Sequence, residues 1–117
     1  MPKKILIVDD DPIIVDYIVS LLSNNGYDTC IANNGKDAFD VLKAENPDLI
    51  TLDLEMPEEW GPRFVRKMSK EKKYESIPII VISGLSSRHL SVKNAVAALP
   101  KPFDPDKLLG IVKKNIG

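Results

Sequence analysis

Apolar residues recur along this chain in two alternating patterns. Short continuous runs, Ile5-Leu6-Ile7-Val8, Leu49-Ile50-Thr51-Leu52 and Ile79-Ile80-Val81-Ile82, are separated by stretches in which apolar residues return every three or four positions. A compact β-branched run suits a strand buried on both faces, and the wider spacing is that of an amphipathic helix. Residues 4–8 therefore read as a first strand. Asp11 and Pro12 open a helix, the aspartate as cap and the proline at the first helical position. Ile14, Ile18, Leu21 and Leu22 form its apolar face, and Asn25-Gly26 stops it. Residues 28–32 give a short second strand. Asn34-Gly35 reads as a turn, and Ala38, Val41 and Leu42 mark a second helix ending near Asn46-Pro47. A third strand covers 49–52. Residues 56–62 read as a loop from their proline and glycine content, with a third helix opening at Phe64, Val65 and Met68. The fourth strand covers 79–82, and Ala97-Ala98-Leu99 suggests a short fifth. Asp104-Pro105 repeats the cap-then-proline signal ahead of Leu108, Leu109 and Val112.

This alternation predicts an α/β fold, a doubly wound five-stranded parallel sheet with helices on both faces. Right-handed crossovers make 2-1-3-4-5 the natural strand order. The segment 85–94 has weak helical periodicity and three serines, so the fourth helix is expected to be short, displaced or absent. One domain over 1–117 fits the length.

Composition narrows the function classes. Sixteen basic and 17 acidic residues leave a formal net charge of −1, so bulk charge favours neither nucleic acid nor an anionic membrane. No apolar run approaches the ~20 residues of a spanning helix, and no signal-peptide core follows Lys3-Lys4. The single cysteine, Cys30, allows no internal disulfide and reads as a small buried strand residue. Together these suit a cytoplasmic protein.

The candidate chemistry lies at strand ends. Asp9-Asp10 follow the first strand, Asp53 ends the third, Ser83-Gly84 follow the fourth, and Lys101 follows the fifth. In an open parallel sheet the carboxyl ends of the strands share one edge, and ligands bind there. Crowded carboxylates repel one another, and all-oxygen ligands suit a hard divalent cation such as Mg²⁺. His89 and Cys30 each stand alone, so zinc has no ligand set. A metal, a lysine and a hydroxyl are the parts that stabilise a transferring phosphoryl group. No glycine-rich phosphate loop is present, which argues against a bound nucleotide as donor. A carboxylate can itself take the phosphoryl group as an acyl phosphate.

Four motifs, in order and across the whole chain, resemble the receiver (CheY-like) domain of the two-component response-regulator family. They are Ile5-Leu6-Ile7-Val8-Asp9-Asp10; Asp53-Leu54-Glu55-Met56-Pro57 with Gly61; Ile79-Ile80-Val81-Ile82-Ser83-Gly84; and Lys101-Pro102-Phe103. The resemblance implies the flavodoxin-like sheet already expected. It implies that Asp53 accepts a phosphoryl group from a histidine kinase or a histidine phosphotransfer protein. Asp9 and Asp10, with Asp53 and the backbone carbonyl of Glu55, would hold Mg²⁺. Ser83 and Lys101 would contact the phosphoryl oxygens, Gly84 would leave room for them, and the Lys101-Pro102 peptide would be cis. The result is a signalling switch acting on a further protein, not a turnover enzyme, with neither nucleic acid nor membrane as partner. Asp11 is better spent as a helix cap than as a metal ligand.

Some positions depart from the family pattern. The stretch from Ser83 to Lys101 is short, and Ala98 stands where an aromatic commonly rotates on phosphorylation. This motivates a second reading, an interaction module on the same fold that signals without phosphate. A third is a small-ligand binder or Mg²⁺-dependent phosphohydrolase on the same edge. Trp60 either packs locally or contacts a partner. His89 reads as a solvated loop residue, and the basic run 66–73 as a solvated helix face.

Overall fold

The computed structural model describes residues 2–55, 60–84 and 95–117, with residues 60–62 described by their backbone alone. Five strands, β1 (Lys4–Val8), β2 (Asp28–Ala32), β3 (Leu49–Asp53), β4 (Ile79–Ser83) and β5 (Ala95–Pro100), alternate with helices α1 (Pro12–Ser23), α2 (Gly35–Glu45), α3 (Trp60–Ser69) and α4 (Pro105–Ile116). The strands form one parallel sheet in the order β2-β1-β3-β4-β5, as the alternation predicts. The expected short helix and His89 fall in 85–94, outside the described residues.

Side chains of a strand alternate between its faces, and the core divides accordingly. Leu6, Val8, Ile50, Leu52 and Val81 pack with Ala38, Phe39 and Leu42 of α2 and Phe64, Val65 and Met68 of α3. Ile5, Ile7, Leu49, Ile80 and Ile82 pack with Val15, Ile18 and Leu22 of α1 and Leu108 and Val112 of α4. All five residues of β3 and of β4 are buried. That is why these strands are mostly apolar and do not alternate with polar residues, Thr51, Asp53 and Ser83 being the buried polar exceptions.

The caps are as the sequence suggests at α1 and α4. Asp11 Oδ1 accepts from Ile13 N at 2.9 Å, Asp104 Oδ1 accepts from Asp106 N at 2.9 Å, and a proline follows each. Three readings are corrected. Asn34-Gly35 is the start of α2: Asn34 Oδ1 accepts from Asp37 N at 2.7 Å, the same side-chain-to-backbone bonding that makes asparagine a turn former. Helix α3 begins at Trp60, inside the expected loop. Pro62 is tolerated because the first-turn N–H groups have no intrahelical partner to lose. Cys30 is half-buried, since β2 is an edge strand.

Candidate functional site

The register of the sheet brings the chosen residues to one edge. Val8 pairs with Leu52, Asp53 with Ile82, and Ser83 with Pro100. Asp9, Asp53, Ser83 and Lys101 therefore leave four neighbouring strands at the same edge, Asp9 level with Asp53 and the other two slightly further along. Lys101 N donates to Ser83 O at 3.3 Å, which ties the fifth strand's end to the fourth. The Lys101-Pro102 peptide is cis, as expected.

Asp9 and Asp53 are each only 2% exposed. Charged groups that deep need partners. The Lys101 ammonium lies 3.2 Å from Asp53 Oδ2 and 3.8 Å from Asp9 Oδ2. The other oxygens accept backbone donors: Asp11 N reaches Asp9 Oδ1 at 2.9 Å, and Glu55 N reaches Asp53 Oδ1 at 2.8 Å. Asp11 thus both caps α1 and orients Asp9 through its backbone. Burial pushes the Asp9 carboxyl up to about 6. The Asp11 N–H and the Lys101 charge work against that rise, while the Asp53 and Asp10 charges add to it. Burial pulls Lys101 down, but the Asp53 and Asp9 carboxylates outweigh it and hold the ammonium above its ordinary value.

One carboxylate oxygen each from Asp9, Asp10 and Asp53 can be chosen so that all lie within 4.8 Å of one another. Two of these residues are buried and Asp10 is exposed. The donor set is oxygen throughout, one side opens to water, and the neighbouring Asp53 and Asp10 charges add to the rise of the buried Asp9 carboxyl, a repulsion that a cation would relieve. All three features fit a hard, partly hydrated cation such as Mg²⁺.

Ser83, 5% exposed, ends β4 beside these carboxylates. Its hydroxyl donates to Glu55 Oε1 at 3.3 Å, and Gly84 N donates to the same oxygen at 2.6 Å. A Cβ placed on Gly84 would come within 2.8 Å of that oxygen. The room left by this glycine is thus taken by the Glu55 carboxylate. Sequence reasoning considered only the backbone carbonyl of Glu55 and missed its side chain. Residues 56–59 and the side chain of Trp60, weighed above between local packing and partner contact, lie outside the described residues.

Among the described residues no helix is long and apolar enough to cross a membrane. Residues 5–113 match the family model of the response regulator receiver domain. Protein Rrf1 of Nitratidesulfovibrio vulgaris is 40% identical over 99% of this chain and 84% of its own length. Response regulator Rre1 of Synechocystis sp. is 30% identical over 96% of this chain, which spans only 51% of Rre1. The solved chemotaxis response regulator CheY4 of Vibrio cholerae superposes with a TM-score of 0.89 at 27% identity, covering 99% of this chain and 100% of its own. Motif order, sheet order and these likenesses agree: the chain belongs to the response regulator receiver domain family, a family of signalling domains of two-component systems.

Proposed function

We propose that this protein is a phosphoacceptor switch in which Asp53 takes a phosphoryl group from a phosphohistidine of a histidine kinase or phosphotransfer protein. The observation that carries the reading is the placement of Asp53. It is a buried carboxylate with one oxygen 3.2 Å from an ammonium, the other held by a backbone N–H, and two further carboxylates within reach of one cation.

In the step itself, an Asp53 oxygen attacks phosphorus as the P–N bond to the donor imidazole breaks. The bonding pair goes to the ring nitrogen, and the product on this chain is an acyl phosphate. Asp9, Asp10, the Asp53 carboxylate and the Glu55 carbonyl would hold Mg²⁺, which supplies charge neutralisation between the acidic groups and the incoming anion. Lys101, already paired with Asp53, offers its ammonium to a phosphoryl oxygen. The Ser83 hydroxyl and the Gly84 N–H offer two further, neutral donors. Gly84 is suited to this because any Cβ would intrude on the anion's place. Phosphorylation adds charge and acceptor oxygens at the meeting point of β1, β3, β4 and β5, which changes how a partner binds.

The test is direct. Incubation with Mg²⁺ and acetyl phosphate, followed by intact mass measurement, should add one phosphoryl group to the wild type and none to Asp53→Ala. An unmodified wild type, or equal modification of the variant, rejects the assignment.

A further inference from the structure

The Glu55 side chain has no part in the chemistry above, yet it accepts from two donors that chemistry offers to an anion. Its Oε1 accepts from Gly84 N at 2.6 Å and from Ser83 Oγ at 3.3 Å. The contact spans 29 positions of sequence and joins the loop after β3 to the end of β4. Those two donors are the ones the proposed function offers to a phosphoryl oxygen. Glu55 is exposed, so burial does not force its carboxylate into this position. A carboxylate free to point into water is instead received by two donors, one a short charge-assisted bond from the backbone.

We infer that the Glu55 carboxylate is an internal occupant of the anion cradle formed by Ser83 and Gly84, and that it competes with the phosphoryl group for it. This rests on the reading of Asp53 as acceptor. In the unmodified protein Glu55 satisfies both donors and holds the end of β4 against the loop after β3. Arrival of the phosphoryl group transfers the donors to its oxygens and releases the Glu55 side chain to solvent. The contact between β3 and β4 is then remade through Asp53 itself. A family position suited to relaying the change by aromatic rotation is Ala98 here. Release of Glu55 provides a different difference between the two states, on the exposed rim of the site.

Beryllium fluoride, a noncovalent phosphoryl mimic, is the probe, used with Mg²⁺ on the intact chain. Removal of the competing carboxylate in Glu55→Ala should tighten its binding about tenfold, the scale expected of one charge-assisted contact. Glu55→Gln keeps an acceptor without the charge and should fall between. The Gly84 amide, followed by NMR without any probe, should shift in Glu55→Ala and, on adding beryllium fluoride, in the wild type. Equal or weaker binding in Glu55→Ala overturns the competition, as does a Gly84 amide indifferent to the substitution. Binding gained only after Glu55→Ala supports a complete block. Mass gain with acetyl phosphate in wild type but not Asp53→Ala separates the two claims, because it tests Asp53 irrespective of Glu55.

Discussion

Asp9 shows how a single buried carboxyl sets the pH behaviour of the site. Its ordinary value lies near 3.8, and burial pushes it up to about 6 in the folded chain. Between those values the folded protein keeps a proton that the unfolded chain has released. Asp9 therefore favours folding at low pH, and that contribution is lost as pH rises through 6. Asp9→Asn removes the titration while keeping an acceptor for Asp11 N. It should be more stable than the wild type at pH 8 by about 2 kcal/mol, with the gap closing toward pH 4. Urea melts at the two pH values measure this, and a constant gap contradicts it. Added Mg²⁺ should stabilise the wild type more than the variant. Lys101→Met has the opposite sign. It leaves Asp53 and Asp9 without their ammonium and should cost about 1–3 kcal/mol at pH 8, less than a fully buried pair because Lys101 keeps some solvent. The loss should shrink at pH 5, where a carboxyl takes a proton; a loss independent of pH would show that packing, not charge, is what the lysine contributes. Asp9, Asp53, Ser83 and Lys101 were legible because each follows a strand, and parallel strands share an edge. Glu55's side chain was not. Its contact depends on a rotamer reaching across to Gly84, and no local pattern encodes that.

Elements were legible where one signal had one meaning. Asp-Pro reads as a helix start at both α1 and α4, because the carboxylate can satisfy a first-turn N–H and the proline has none to waste. Asn34-Gly35 was ambiguous, since the same side-chain bond builds a turn or a cap. At α3, Gly61 and Pro62 suggested a loop, yet the first turn tolerates both. β5 extends back to Ala95, beyond the Ala-Ala-Leu signal. Alanine has little strand preference of its own, and pairing with β4, with a register shift between Ile79 and Ile80, decides the matter. The α4 cap offers the cleanest test at this scale. Asp104→Ala leaves Asp106 N without its acceptor and should cost about 1 kcal/mol, with Asp104→Asn nearly neutral. In thermal unfolding that corresponds to a fall of about 4 °C for Asp104→Ala. Equal falls for the two variants would mean that charge near the helix end, and not the cap bond, is the stabilising term.

The two core layers share one sheet, and this predicts that the described strands and helices unfold as one cooperative unit. β1, β3 and β4 each have a strand on both sides, and Leu6, Ile50 and Leu52 face one layer while Ile5, Leu49 and Ile80 face the other. A backbone hydrogen bond in β3 therefore cannot open without exposing both layers. Its amides should exchange with solvent only through global unfolding, whereas those at the ends of α1 and α4 exchange through local fraying. Leu52→Ala removes a fully buried side chain from the α2–α3 layer and should lower global stability by about 3 kcal/mol. Protection of Ile50, Val81 and, on the opposite layer, Ile7 and Ile80 should then fall together, by about two powers of ten. The fraying ends should be unaffected. A fall confined to α2, α3 and their own face of the sheet would show two independently opening layers. In that case a change at Asp53 could not be felt equally on both sides, and the site would signal through one face only.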